Sequence, residues 1–332
     1  AGEGTRMKSA LPKVAHPVLG VPMVRLVVAA AREAGIERVV AVVGHRADIV
    51  EGILEGETCV LQERQLGTGH AVMSAKDALA GLAGSLVVLA GDTPLITPDT
   101  IRMLVERRED AGAAASVLTM RVEDPQGYGR IVRDGEGAVA GIVEQPDLAP
   151  DQLGIDEVNT STYCFDVAAL LSRIDDLSSD NAQEEFYLTD MIGRFHDEGL
   201  GVVGVLTDDP DEAMGVNSRV QLAEASRVLQ ARVNRAHMLE GVTMTAPDLV
   251  WISPSVRIAR DVTIGPMTFI EGETVIEEGA HVGPSCRIVD SRVGAGARVE
   301  SSVLLKADVG PSASVGPMAY LRPGATLLER SK

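Results

Sequence analysis

The chain opens on a glycine-containing loop that carries two isolated cations. In AGEGTRMKSALPK, Gly2 and Gly4 permit positive φ angles, so successive backbone N–H groups can surround an anion. Arg6 and Lys13 follow, and both side chains suit phosphate oxygens. The loop lacks the Gly-Lys-Ser/Thr ending of a Walker A motif, and Met7 stands where a GxGxxG motif has its third glycine. Two interpretations remain open: a phosphate loop of another kind, or a tight turn with solvated cations.

The histidines and cysteines match no familiar catalytic or metal-binding pattern. His16, His45 and His70 fit neither a Ser-His-Asp triad nor a zinc site, and His70 is interpreted as structural. The three cysteines lie far apart without a CxxC pair, as expected for reduced, buried thiols. No apolar run reaches the ~18 residues of a membrane span, and no signal peptide is visible. We therefore expect a cytoplasmic protein.

Strands and helices alternate up to about residue 215. Short β-branched runs predict strands at 37–44, 85–92 and 199–206. Longer apolar stretches predict helices at 23–34, 68–82 and 98–110. This alternation predicts an α/β fold with a Rossmann-like, mainly parallel sheet covered on both faces. Two alternating runs within 129–145 predict an inserted hairpin. A ligand loop normally follows a strand, so we expect a first strand to be missing before Ala1.

The second part of the chain has a different period. Aliphatic residues recur about every six positions, with a one-residue slip after Ile288 and a second irregularity after Val299, at Ile252, Ile258, Ile264, Ile270, Ile276, Val282, Ile288, Val293, Val299, Val309, Val315, Leu321 and Leu327. This hexapeptide repeat predicts a parallel β-helix, and the family that it resembles winds left-handed. We therefore predict an α/β domain over 1–216, a connector helix over 217–241 and a short left-handed β-helix over 242–332.

The net charge of the chain is −18. A surface this acidic repels nucleic acid and anionic lipid, so neither a nucleic acid nor a membrane is expected as a partner. It also repels free nucleotides. An anionic ligand would therefore need local cations and a metal ion.

Several further segments accompany the opening loop. They are LQERQLGTGHAV (61–72), LAGDTPL (89–95), GYGRIV (127–132), IVEQPD (142–147), EVNTS (157–161), NAQEEFYLTD (181–190) and GVNSRVQLAEA (215–225). The loop resembles the signature of sugar-1-phosphate nucleotidyltransferases. With the hexapeptide tail, nearly the whole chain resembles the family of bifunctional N-acetylglucosamine-1-phosphate uridyltransferase/glucosamine-1-phosphate acetyltransferases.

The resemblance implies uridyl transfer from UTP to N-acetylglucosamine-1-phosphate. The products are pyrophosphate and UDP-N-acetylglucosamine, a precursor for peptidoglycan and cell-wall synthesis. Both reactants are anionic, so catalysis is mostly alignment and charge neutralisation. Arg6 is expected to stabilise the transition state at the α- and β-phosphates, and Lys13 to contact the phosphates. Ala1, Gly2 and Gly91 are implied as further substrate contacts.

Asp92 and Asn217 are implied as the ligands of Mg²⁺. Asp92 follows a buried strand, where open α/β sheets bind ligands. A carboxylate and an amide oxygen are hard ligands that suit Mg²⁺. The alternatives are a turn or helix cap for Asp92 and the N-cap of the connector helix for Asn217.

The remaining implied contacts divide between uracil and sugar. Gln62, with the backbone of Gly67 and Thr68 and with Gly2, is expected to bind uracil. The implied sugar-binding residues are Gly129, Glu144 and Asn159. The chain departs from the family pattern at Pro146, Ser161 and Glu184, the last two at positions usually held by glycine, and these departures lie on the sugar side.

Other functions remain open at this point. One is uridyl transfer to another sugar phosphate such as glucose-1-phosphate, and another is a non-catalytic hexapeptide scaffold. A homotrimer formed through the β-helix is expected from the resemblance. Of the acetyl-transfer site only Arg322, in LRPGA, has a counterpart here, so we expect a truncated chain without acetyltransferase activity.

Overall fold

The computed structural model describes residues 5–332, which form two compact units. The first unit contains the residues up to His16 together with Pro22–Gln221. The second contains Pro17–Val21 and Leu222–Lys332. Each unit has its own apolar core.

Eight α-helices occur in the described chain. They are α1 (Met23–Glu33), α2 (Ala47–Ile53), α3 (Thr68–Ser74), α4 (Lys76–Leu79), α5 (Pro98–Asp110), α6 (Val167–Leu171), α7 (Asp190–Asp197) and α8 (Arg219–Leu239). Ala75 separates α3 from α4, so the predicted helix over 68–82 is two shorter helices. None of the helices in residues 5–332 combines the length and apolar character of a membrane-spanning segment.

Ten strands of the described residues precede α8. They are β1 (Pro17–Val18), β2 (Val21–Pro22), β3 (Val40–Val43), β4 (Thr58–Leu61), β5 (Ser85–Val88), β6 (Ala115–Arg121), β7 (Arg130–Arg133), β8 (Val139–Val143), β9 (Glu157–Asp166) and β10 (Val202–Leu206). The last six form one sheet in the order β10-β6-β9-β7-β8, with β5 also paired to β9. Strands β3 and β4 pair in parallel, and β7 and β8 form the predicted hairpin.

The α/β class is confirmed, with one feature that strand–helix alternation did not predict. Strand β9 runs antiparallel to β5, β6 and β7, whereas β10 and β6 are parallel. Strands β8 and β9 flank β7 and are both antiparallel to it, so the connection over 144–156 carries the chain past β7 and β9 runs in the direction of β8. Phe165 on β9 and Phe195 on α7 are fully buried in the core beside it.

The second unit is a stack of short parallel strands. They are β11 (Thr243–Met244), β12 (Val250–Ile252), β13 (Arg257–Ile258), β14 (Thr263–Ile264), β15 (Thr268–Glu271), β16 (Val275–Ile276), β17 (His281–Val282), β18 (Arg287–Val289), β19 (Arg292–Val293), β20 (Arg298–Val299), β21 (Val303–Leu305), β22 (Asp308–Val309), β23 (Ser314–Val315), β24 (Tyr320–Leu321) and β25 (Thr326–Leu327). Every third strand joins the same sheet, which gives three five-stranded parallel sheets. This is the arrangement of the predicted left-handed β-helix.

The hexapeptide aliphatics form the interior of this β-helix. Ile252, Ile270 and Ile288 succeed one another in one sheet and are completely buried. The slip in the repeat reflects shorter coils. Paired residues are 18 positions apart at Trp251 and Phe269 but 16 apart at Arg287 and Val303.

Candidate active site

Lys13 joins two oxygen-bearing side chains from distant parts of the first unit. Its Nζ donates to Oδ2 of Asp92 and, at 2.9 Å, to Oδ1 of Asn217. Lys13 begins a 3₁₀ turn, Asp92 follows β5, and Asn217 precedes α8. Lys13 and Asp92 are 19% and 17% exposed, so a ligand can still reach them. The structure thus brings together three of the predicted phosphate- and metal-binding residues.

Backbone contacts hold the Asp92 and Asn217 segments side by side. The Val216 N–H donates to the Asp92 carbonyl at 2.8 Å, and the Asn217 Nδ2 donates to the Gly215 carbonyl at 3.3 Å. The second contact turns Oδ1 of Asn217 toward Lys13. Ser218, whose Oγ accepts from the Gln221 N–H at 3.3 Å, is the residue before α8 that caps it. Asn217 is therefore not the helix cap, and its amide oxygen serves the cluster.

Arg219 ties the same region to the opening segment. Its Nε donates to the Met7 carbonyl at 3.2 Å, and its Nη1 lies 3.3 Å from Nδ1 of His16. His16 is 3% exposed, and burial, followed by the positive charge of Arg219, lowers its pKa. A neutral His16 then accepts from Arg219 through Nδ1. Arg219 was not predicted as a site residue, since an arginine at the start of a helix has no distinctive pattern.

Gln62 follows β4 and is held by two acceptors. Its Nε2 donates to the Gly67 carbonyl at 3.2 Å and lies 3.0 Å from Nδ1 of His70. An amide NH₂ only donates, so Nδ1 of His70 accepts. Both amide hydrogens are engaged within the protein, which leaves Oε1 as the group that can accept a hydrogen bond from a ligand.

The loop at Gly67 lies tightly against the segment around Phe186. Gly67 has a φ of +106°, and a Cβ there would be 2.6 Å from the Phe186 carbonyl oxygen. The Gly69 N–H donates to that carbonyl at 2.7 Å, and Oγ1 of Thr68 accepts from the Leu188 N–H at 3.0 Å. Only glycine fits at position 67, where the loop passes into α3.

The three predicted sugar-binding residues lie together at β7, β8 and β9. The Asn159 N–H donates to the Gly129 carbonyl at 2.9 Å. A Cβ on Gly129 would be 3.3 Å from Oε2 of Glu144, so a larger residue there would press on the carboxylate. Glu144 directly follows β8, and its Oε1 accepts from the Thr189 hydroxyl at 3.2 Å.

Burial and neighbouring groups set the protonation of this end of the site. Burial raises the pKa of the Glu144 carboxyl, and the hydrogen bond from Thr189 partly offsets that rise. Burial also raises the pKa of the Tyr163 hydroxyl, which accepts from Nδ2 of Asn159 at 2.8 Å. Thr189 and Tyr163 were not predicted, because each contacts its partner only through the fold.

The other predicted residues are placed as follows. Arg6 is exposed in a 3₁₀ turn, and its side chain makes no hydrogen bond to the described residues. Gly91 precedes Asp92, and a Cβ there would be 3.3 Å from Cγ1 of Val14. Arg322 is exposed in the second unit, in the turn after β24. Ala1 and Gly2 lie outside the described residues.

The cluster at Lys13 has donors that suit a divalent cation. Asp92 and Asn217 each direct an oxygen at the same ammonium group, so both oxygens face a position that already holds a positive charge. Residues 5–332 contain no group of three or more His, Cys, Asp or Glu side chains arranged to hold a metal. One carboxylate and one amide match Mg²⁺, which keeps several waters and binds substrate phosphates.

Comparison with known proteins gives the family. The MobA-like NTP transferase domain family matches residues 1–187. The chain is 48% identical to the "Bifunctional protein GlmU" of Trichlorobacter lovleyi, an alignment that covers 100% of this chain and 73% of that protein. The GlmU protein of Heliobacterium modesticaldum is 46% identical over the same shares of both chains, and that of Caldanaerobacter subterraneus subsp. tengcongensis is 44% identical over 98% and 71%.

The chain belongs to the GlmU family. This confirms the resemblance drawn from the sequence motifs and the predicted nucleotidyltransferase class. It also confirms the predicted N-acetylglucosamine-1-phosphate uridyltransferase function, for which the family uses a divalent metal ion. The structure adds the hydrogen bonds around Lys13, Gln62 and Asn159.

Proposed function

We propose that the first unit carries out uridyl transfer with UTP and N-acetylglucosamine-1-phosphate as substrates and Mg²⁺ as the metal ion. The supporting observation is the hydrogen-bonded cluster of Lys13, Asp92 and Asn217. A cation, a carboxylate and an amide oxygen meet there from three separate segments. UTP brings several negative charges to a protein with a net charge of −18, so these groups are needed to offset repulsion.

At the phosphate end, the protein acts mainly by positioning and by charge. Lys13 contacts phosphate oxygens as a compact cation, and Arg6, carried on the exposed turn before it, adds a forked guanidinium at the α- and β-phosphates. Asp92 and Asn217 would hold Mg²⁺. When bound, that ion neutralises phosphate charge. Arg219 keeps the opening segment in place through the Met7 carbonyl.

At the uracil and sugar ends of the site, hydrogen bonds select the substrates. Oε1 of Gln62 accepts from the single N–H donor on the uracil edge, while the backbone at Gly67 and Thr68 approaches the ring. Glu144 and Asn159 bind sugar hydroxyls. Because Gly129 leaves room beside the Glu144 carboxylate, a sugar can approach it closely.

We further propose that the protein forms a homotrimer through the β-helix. One sheet presents an outward column in which Trp251 stacks on Phe269 and continues through Arg287 and Val303 to Tyr320. Phe269 and Tyr320 are 43% and 57% exposed, and their place in one outward column suits contact with another subunit. Analytical ultracentrifugation would give the mass of a trimer, and a monomer at micromolar concentration would contradict the proposal.

We place this activity in the cytoplasm. The three cysteines are unpaired, and Cys164 and Cys286 are buried, as expected in a reducing compartment where UTP is available.

The proposed function is tested by pyrophosphate release. Wild-type protein is mixed with UTP and each of N-acetylglucosamine-1-phosphate, glucose-1-phosphate and N-acetylgalactosamine-1-phosphate, with and without Mg²⁺. We expect turnover that depends on Mg²⁺ and is fastest with N-acetylglucosamine-1-phosphate. Faster turnover with glucose-1-phosphate would support the alternative sugar, and no turnover with any sugar phosphate would support a scaffold.

A further inference from the structure

The amide of Asn159 is fixed at both of its ends by its own strand. Its Oδ1 accepts from the Ser161 N–H at 3.1 Å, and its Nδ2 donates to the Tyr163 hydroxyl at 2.8 Å. A backbone N–H can only donate, so the amide oxygen must face Ser161 and the amide nitrogen must face Tyr163. These two contacts therefore fix the positions of Oδ1 and Nδ2 in the Asn159 amide.

Tyr163 is itself packed into the apolar core. Its side chain is 4% exposed, and its ring stacks on Phe165 with the centroids 5.6 Å apart. The ring of Phe165 in turn packs beside that of Phe195 on α7, with the ring centroids 6.1 Å apart. A hydroxyl anchored on this aromatic core gives Asn159 a rigid reference point.

Asn159 keeps hydrogen-bonding capacity for a ligand. Among the described residues, its side chain bonds only to Ser161 and Tyr163. One hydrogen on Nδ2 and one lone pair on Oδ1 therefore remain. The nearby Glu144 can only accept while it is ionised, so Asn159 supplies the donor that a sugar oxygen needs.

We infer that Tyr163 is a positioning residue for the sugar phosphate and acts through Asn159. Without its hydroxyl, the amide would lose the contact that orients Nδ2 and would sample other rotamers. Each sugar molecule would then have to order the amide as it binds, and binding would weaken. UTP binding would be unaffected, because the uracil contacts lie at Gln62. This inference rests on the proposed function of the site.

The test is steady-state kinetics of Tyr163→Phe with each substrate varied in turn. We expect the KM for N-acetylglucosamine-1-phosphate to rise about 10-fold, as for one lost hydrogen bond, with KM for UTP and kcat within about twofold of wild type. Tyr163→Phe keeps the ring that stacks on Phe165, so we expect its thermal melt to stay close to that of the wild type. A KM for the sugar phosphate that stays at the wild-type value in the folded variant would contradict the inference.

Thr162→Val is the matched control. Thr162 is equally buried on the same strand, and its Oγ1 has no hydrogen-bond partner among the described residues. Its removal deletes one buried hydroxyl from β9 without touching Asn159. We expect unchanged kinetic constants.

A double-mutant cycle decides whether Tyr163 acts through Asn159. Asn159→Ala should raise the KM for the sugar phosphate at least as much, and adding Tyr163→Phe should raise it no further. Additive effects, or an unchanged KM in Tyr163→Phe, would overturn the inference. If wild-type protein shows no turnover with UTP and N-acetylglucosamine-1-phosphate, the proposed function itself has failed, which is a different result.

Discussion

Glu184 occupies a backbone conformation that favours glycine. Its φ is +55°, and its side chain is exposed, so the strain of the Cβ is not repaid by packing. Ser161, with a φ of +59°, is in the same situation. Both residues, which the resemblance places at positions usually held by glycine, thus adopt a backbone conformation that favours glycine.

Replacing Glu184 by glycine should stabilise the first unit. We expect Glu184→Gly to raise the free energy of unfolding by about 0.5–1 kcal/mol, after allowance for the greater freedom of glycine in the unfolded chain. Glu184→Ala is the control, since it removes the carboxylate but keeps the Cβ. Thermal melts that rise equally for both variants would show that the charge, and not the φ angle, is responsible.

The raised pKa of Glu144 predicts a pH dependence for sugar binding. As the pH falls through that pKa, the carboxylate gains a proton and becomes a poorer acceptor for sugar hydroxyls. The KM for the sugar phosphate should therefore rise on the acid side, at a higher pH than for an ordinary glutamate. The same proton is held more tightly in the folded state, so the stability that Glu144 contributes is fully present below its unfolded-state pKa and is lost as the pH rises through its higher folded-state pKa.

Two variants separate this effect from titration of the substrate. Thr189→Val removes the hydroxyl that lowers the pKa of Glu144, so the acid limb should move to higher pH. Glu144→Gln should lose that limb and keep only the titration of the sugar phosphate. KM profiles between about pH 5 and about pH 8 that coincide for all three proteins would contradict the role of Glu144.

At the scale of elements, the β-helix depends on its inward aliphatic columns. Ile288 on β18 is completely buried, whereas the neighbouring Arg287 points outward to Glu271 at 2.8 Å. Ile288→Ala should cost about 2–5 kcal/mol in stability of the second unit, and Arg287→Ala about 1 kcal/mol or less. Uridyl transfer, assayed below the melting temperature, should stay within about twofold, since all proposed uridyl-transfer residues lie at or before Arg219. Differential scanning calorimetry measures the loss of stability, and an activity assay measures uridyl transfer. Loss of uridyl transfer in Ile288→Ala below its melting temperature would contradict the expected independence of the two units.

The sequence predicted element types better than element directions. A six-residue period identifies a β-helix because each strand faces the interior in the same way. Strand–helix alternation gives the order of elements but not the direction of β9, which depends on how the hairpin returns to the sheet. The break at Ala75 was also missed, because the apolar pattern of 68–82 continues through it.

Candidate site residues also fall into two groups: those that stand in sequence motifs and those that only the folded structure indicates. Lys13, Asp92 and Asn217 stand in motifs that can be read along the chain, and the structure brings them together. Arg219 contacts His16, which lies far from it in the sequence, and the ring of Tyr163 stacks on Phe165 in the core. Such contacts exist only in the folded protein, so no local pattern indicates them.

At the scale of the whole molecule, an acidic protein must bind two anionic substrates. The net charge of −18 disfavours their approach, and at the Lys13 cluster the described structure places a cation beside a carboxylate and an amide oxygen. The fold separates this chemistry, in the first unit, from the repetitive β-helix of the second. The central claim is therefore that uridyl transfer depends on this cluster.

The most direct test is the rate of pyrophosphate release by Asp92→Asn at increasing Mg²⁺ concentrations, with UTP and N-acetylglucosamine-1-phosphate saturating. The substitution keeps the side-chain shape and removes one anionic ligand. Asp99→Asn, at a position where the side chain is 90% exposed on α5, is the control for loss of a charge. We predict that Asp92→Asn lowers kcat by about 100-fold and requires more Mg²⁺, while Asp99→Asn matches wild type. A wild-type rate and a wild-type Mg²⁺ requirement in Asp92→Asn would contradict the account.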